Sequence, residues 1–224
     1  MFACEIFVHL DDVQFEQGGF QNRNRIKTAS GAAWLSVAVV HDSFAALANV
    51  KVSLAHRPQK CLRALEVSYA RAPYHRDVMD WLDPFLAPAP GEGLMELNIR
   101  CIESLAARLD APCRFARASI LRAPAGSRLE NIANVLAALE AQYLYTGSGM
   151  RSYTSEGQMR ERGIHPIWHD FERRNFSYPQ LFAKLGFLPN LSVIDMAFNC
   201  GFAQVAECLA MSAQQVLRRQ HGKP

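Results

Sequence analysis

The residues best suited to chemistry lie in one short stretch near the start of the chain, VHLDDVQFEQGGFQNRNRIK, residues 8–27. A short apolar run ends in two adjacent carboxylates, Asp11 and Asp12, crosses Gly18-Gly19, and reaches Asn22, Arg23, Asn24 and Arg25 in succession. Amides and guanidinium groups present fixed forks of donors and acceptors, so they are chosen where geometry matters. Asp12 is suited to general-base work or to orienting a hydroxyl. Arg23 or Arg25 is suited to bidentate capture of a phosphate or carboxylate. A strand ending at Asp11-Asp12 would place these groups beyond its carboxyl end, where α/β proteins commonly bind ligands. The same residue types also fit a solvated hairpin turning at Gly18-Gly19.

Three other motifs carry possible chemistry. In YTGSGMRSY, residues 145–153, Gly147, Ser148 and Gly149 follow a strand and would let backbone amides approach an anion, although a plain strand-to-helix turn fits as well. His165 and His169 in HPIWH share a face at i, i+4. No nearby Cys or Glu completes that set, and Pro166 argues against a zinc-protease helix, so no metal and no other cofactor is expected. The C-terminal LSVIDMAFNCGFAQVAECLAMSAQQVLRR has the outline of a helix-turn-helix, but its second helix offers few polar residues to base edges. A helical hairpin closing the core explains it equally.

The elements that must position these groups follow from periodicity. Residues 6–10, 34–40, 50–54, 113–119 and 163–171 read as strands, and 143–153 as a strand running into a glycine-containing loop. Helical spacing covers 58–70, 74–86, 94–110, 128–142, 192–201 and 203–220, with Ser127 and Glu130 forming a capping box. Strands alternate with helices, which predicts an α/β fold, a single domain over residues 1–224 with a mixed, largely parallel sheet flanked by helices and a helical C-terminus.

The 224 residues are half hydrophobic and carry a formal charge of +3, too weak to imply a nucleic-acid partner. No apolar run approaches the roughly 18 residues of a membrane span, and the N-terminus lacks the pattern of a secretion signal. Six widely spaced cysteines without a CxxC pair predict buried thiols in a reducing, cytoplasmic setting.

LDDVQFEQGGFQNRNRIKTASGAAWLSVAV resembles the signature of the WbqC-like family, whose members carry Asp-Asp-Val-Gln-Phe, Asn-Arg-Asn-x-Ile-Lys and Trp-Leu-Thr-Val-Pro segments. Here Ser36 and Ala38 stand where Thr and Pro are usual. The resemblance continues through YARAPYHRD (69–77), YLYTGSGMRSY (143–153), GIHPIWHDF (163–171) and FLPNLSVIDMAFNCG (187–201). Members usually carry a first strand and a His-Gln-Pro segment ahead of this portion. Met1 aligns with an internal position, so the chain is expected to lack that strand.

Such proteins are encoded with surface-polysaccharide and O-antigen genes, and some are suggested to be glycine (aminoacyl) transferases. The resemblance therefore implies a cytoplasmic transferase moving a small acyl or glycyl group from an activated donor to an amino sugar or nucleotide sugar. A non-catalytic module binding a sugar nucleotide or a partner is the alternative. On this reading Asp12, with Asp11, is the catalytic base. Arg23 and Lys27 hold anions, Gln14, Asn22 and Asn24 bind the substrate, and Gly147, Ser148 and Gly149 supply amides. Tyr69, Tyr74, Tyr153, Asp195 and Asn199 line the pocket.

Overall fold

The computed structural model describes residues 1–121, 126–169 and 177–221. Its strands are β1 (Ile6–His9), β2 (Arg23–Thr28), β3 (Gly31–Ser36), β4 (Val39–Val40), β5 (Lys51–Val52), β6 (Arg114–Arg117), β7 (Tyr143–Gly147) and β8 (His165–His169). Its helices are α1 (Pro58–Tyr69), α2 (His75–Leu86), α3 (Leu94–Arg108), α4 (Arg128–Ala138), α5 (Glu156–Arg160) and α6 (Val193–His221). The α/β reading holds. The strands pair as four two-stranded ladders, two of them parallel, β1 with β6 and β7 with β8, and two antiparallel, β2 with β3 and β4 with β5.

The residues gather into two compact units, each discontinuous in sequence. The first comprises Met1–Leu10, Ala111–Asn175 and Cys208–Pro224. It holds both parallel ladders and a small core of Leu136, Met159 and Ile164. Ser127 Oγ accepts from the Glu130 amide while the Glu130 carboxylate accepts from the Ser127 amide, so α4 starts at the capping box expected of it. His165 and His169 stand on β8 opposite Tyr143 and Gly147. No cluster of three potential metal ligands occurs among the described residues.

The second unit comprises Asp11–Asp110 and Phe176–Glu207. Pro58 opens α1, where its missing N–H costs nothing, and Cys61, Leu65 and Tyr69 recur every four residues along the buried stripe. Phe15, Leu47, Val50, Leu94, Met95 and Ile99 pack into one cluster of the core. The hairpin turn lies at Ala29-Ser30 between β2 and β3, not at Gly18-Gly19, because Thr28 pairs with Gly31 and its Oγ1 donates to the Gly31 carbonyl at 2.8 Å. Residues 34–40 do not run as one strand. The Val37 amide still pairs in register with the Asn22 carbonyl, but the Ala38 amide turns to His56 Nδ1, which ends β3 before β4 begins.

No cysteine is in a disulfide among the described residues, and Cys61 alone is fully buried, the others being partly exposed. Burial pushes the Cys101 thiol up to about 11, so it stays protonated. By length and composition alone, Val193–Arg219 is the one stretch among the described residues apolar enough to cross a membrane. Of the most apolar 18 residues within it, 44% are buried inside the fold.

The two C-terminal helices expected from the sequence are present, meeting at a kink at Gly201 (φ 81°, ψ 161°), and are labelled together as α6. Only glycine adopts that backbone freely. A Cβ there would also lie 2.7 Å from Cε1 of Tyr74. Gly201→Ala is therefore expected to destabilise the protein by about 2–4 kcal/mol through backbone strain and overpacking, read as a lower urea midpoint. Adding Tyr74→Ala should recover the packing part and leave the backbone part.

Candidate functional site

Strand alternation puts Arg23, Arg25 and Lys27 on one face of β2, although the sequence there shows no apolar alternation. Each cation ends on a backbone carbonyl. Arg23 donates to the carbonyls of Gly18 and Gly19, and its guanidinium lies 4.1 Å from the ring centre of Trp34. Arg25 Nη2 donates to the Asn190 carbonyl at 2.9 Å, and its Nε is buried with no hydrogen-bond partner among the described residues. Lys27 Nζ donates to the Gly186 carbonyl at 2.7 Å and to Gln180 Oε1 at 3.1 Å.

Lys27 is 1% exposed, and these two acceptors are both neutral. Its backbone amide donates to the Tyr69 hydroxyl at 3.1 Å. That hydroxyl in turn donates to Asp195 Oδ2 at 2.6 Å, and the Tyr178 hydroxyl donates to Asp195 Oδ1 at 2.8 Å. Asp195 is fully buried in the first turn of α6, where a carboxylate is favoured by the helix dipole. The Tyr69 ring stacks on Phe198 at 4.2 Å and 7°, one helical turn along from Asp195. Removing a charge from water costs several kcal/mol per ion unless it is well hydrogen-bonded. The fold accepts that cost twice within this one network.

The electrostatics follow from the same burial. Desolvation first, then the Asp195 charge and its hydrogen bond, push the Tyr69 hydroxyl far above its ordinary value. Desolvation and then Asp195 do the same to Tyr178. Both phenols therefore remain donors to the carboxylate across the whole neutral range.

The remaining sequence candidates divide by role. Asp11 is buried, while Asp12 is exposed and has no hydrogen-bond or ion-pair partner among the described residues. Gln14 is exposed and bridges to Ala46. Asn22 Nδ2 donates to the Val37 carbonyl at 2.9 Å, and Asn24 Oδ1 accepts from the Arg25 amide at 2.8 Å, so both amides brace the hairpin. Asn199 Nδ2 donates to the Asp195 carbonyl at 2.7 Å, and its Oδ1 accepts from the Leu181 amide at 3.0 Å. Gly147, Ser148, Gly149 and Tyr153 belong to the other compact unit. There Gly147 and Gly149 border open space, and the Arg128 guanidinium lies 4.1 Å from the Tyr153 ring centre.

Tyr178 and Gln180 escape the sequence reading. They sit in a segment without periodicity, where Pro179, Gly186 and Pro189 mark only a loop. Beside the network, Tyr74, Gly201, Phe202 and the ion pair of Asp77 with Arg108 line a cleft of about 360 Å³. The Tyr74 amide donates to the Phe198 carbonyl, which ties the cleft wall to the ring stacked on Tyr69.

The model of the WbqC-like protein family matches residues 1–207. The uncharacterised protein Rv1507c of Mycobacterium tuberculosis (strain ATCC 25618 / H37Rv) is 30% identical over 197 residues, covering 87% of this chain and 84% of that protein. No solved structure matches the chain.

The raised tyrosine values give a signed pH dependence. A folded value above the unfolded one contributes stability that is present below the ordinary tyrosine value of 10.0 and is lost as pH rises through the folded value. In a tyrosinate absorbance titration, two of the six tyrosines are expected to resist ionisation above pH 10 until the chain unfolds. Tyr69→Phe and Tyr178→Phe should each remove one resistant phenol.

Proposed function

This chain belongs to the WbqC-like protein family, and on that premise we propose that it is a cytoplasmic transferase of surface-polysaccharide (O-antigen) biosynthesis. It moves a small acyl or aminoacyl (glycyl) group from an activated donor to the amine of an amino sugar or nucleotide sugar. The observation that carries this reading is the buried charge centre. Residues drawn from the Asn-Arg-Asn-x-Ile-Lys, Tyr-x-x-Ala-Pro-Tyr and Leu-Ser-x-x-Asp segments meet there around the Tyr69 hydroxyl. Clusters of buried, mutually perturbing polar groups are where functional sites concentrate.

The proposed roles are as follows. The acceptor amine attacks the donor carbonyl carbon, a C–N bond forms, and the bond to the leaving group breaks. Asp12, exposed and unpaired among the described residues, takes the amine proton. Lys27 and Arg23 bind anionic groups. They stand four residues apart on β2, roughly 13 Å along a strand, so they serve two separate anions or two ends of one long ligand such as a nucleotide sugar.

The test is mass spectrometry of an amino-sugar nucleotide incubated with the full chain and a glycyl or acetyl thioester. The expected product carries one added acyl group, and Asp12→Asn is expected to lower turnover by roughly 100-fold with the fold intact by circular dichroism. Turnover unchanged in Asp12→Asn removes that residue from the base role. Saturable sugar-nucleotide binding without any transfer by the natural chain makes the protein a binding module instead.

A further inference from the structure

We infer that residues 177–192 form a displaceable strap over an oxyanion site built on the Lys27 ammonium. The inference rests on the functional reading above and deepens it by assigning the group that Lys27 binds and the way it is reached. None of residues 177–192 is fully buried: Leu181, Phe182, Leu188 and Leu191 are half-buried, and Leu185 and Phe187 are about 40% exposed. A segment with no fully buried apolar side chain of its own depends heavily on its polar tethers.

Those tethers come from the second unit's own elements. Tyr178 donates to Asp195, and Lys27 reaches Gln180 Oε1 and the Gly186 carbonyl. The Leu181 amide donates to Asn199, Arg25 donates to the Asn190 carbonyl, and the Ser192 amide donates to the Arg25 carbonyl. Within the strap, Gln180 Nε2 and Oε1 close onto the carbonyl and amide of Leu188. Gln180 is therefore the pivot, serving the strap's internal closure and the ammonium together.

The chemistry at the pivot is unequal. An ammonium is a stronger partner for an oxyanion than for a neutral amide or carbonyl oxygen. A phosphate or carboxylate arriving at Lys27 takes the places of Gln180 Oε1 and Gly186 O, and the strap loses its central tether. Ligand binding and strap opening are thus one event, because the ligand binds only the state in which those two oxygens have left. The β2–β3 hairpin, fixed by its own ladder, stays in place.

Hydrogen–deuterium exchange of the full chain tests this without requiring turnover, so its outcome is independent of whether transfer is ever detected. One arm titrates inorganic pyrophosphate and another sodium acetate, which separates a phosphate from a carboxylate ligand. The expected result is a saturable rise of at least tenfold in exchange at the Leu181 and Leu188 amides, with β2, β3 and α1 unchanged. Gln180→Ala, a strap residue that leaves the core intact, should raise the same exchange without any anion and tighten anion binding. Lys27→Met should abolish the anion response. Strap amides that exchange as slowly as those of α1, or that slow down or stay unchanged with both anions, overturn the inference. So does weaker anion binding in Gln180→Ala.

Discussion

A single phenol hydroxyl organises the second compact unit. Tyr69 OH accepts from the backbone of β2 at Lys27 and donates to a carboxylate in the first turn of α6. It therefore fixes three segments that are far apart in sequence to one point. Neither neighbour is free to leave. The amide would be an unsatisfied buried donor, and the carboxylate would lose one of the two phenols that make its burial tolerable. The stacking of Tyr69 on Phe198 then sets the rotation of α6, and Phe198 in turn holds the Tyr74 amide. Gly201 is glycine because the Tyr74 ring fills the space beside it. The requirement that buried polar groups be paired thus propagates outward from one oxygen into helix register and cleft shape.

The same constraint explains why the polar residues near the N-terminus differ so much in exposure. Asn22 and Asn24 spend their amides on the hairpin backbone, which frees the alternation of β2 to carry cations on one face. At one end of that face Arg23 lies against the exposed Trp34, and at the other Lys27 is enclosed. One strand therefore offers a half-buried guanidinium and a covered ammonium. That pairing suits a ligand with two charged parts met in different surroundings.

Much of the local structure was legible in the sequence. The apolar spacing of Cys61, Leu65 and Tyr69 gives α1, and Ser127 with Glu130 marks the start of α4 within a residue. β2 was not legible as a strand, because its alternation sets Arg and Lys against Asn, Ile and Thr rather than apolar against polar. Gly18-Gly19 misled for a related reason. A glycine pair is a strong local turn signal, and a tight turn does form there, the Gly19 amide donating to the Glu16 carbonyl with Gly18 at φ 86°, yet the hairpin ladder closes at Ala29-Ser30 through a threonine hydroxyl. The candidate residues Tyr69, Asp195 and Asn199 were reachable only through family resemblance, since a tyrosine at a helical core position carries no mark of its hydroxyl's partner. Tyr178 and Gln180 were out of reach altogether. Their importance comes from long-range contacts to Asp195 and Lys27, and no local pattern encodes those. The interleaved division into two units is likewise a property of tertiary contacts, not of composition along the chain.

The central claim is that Lys27 is kept as a buried cation for ligand chemistry and not for stability. Buried ions can often be replaced by neutral groups at no loss of stability. The most direct measurement is therefore paired: the urea midpoint and the pyrophosphate affinity of Lys27→Met, set against the natural chain. The account predicts a midpoint equal to or above that of the natural protein together with loss of pyrophosphate binding. A Lys27→Met chain that binds pyrophosphate with undiminished affinity, or whose midpoint falls well below that of the natural protein, would contradict it.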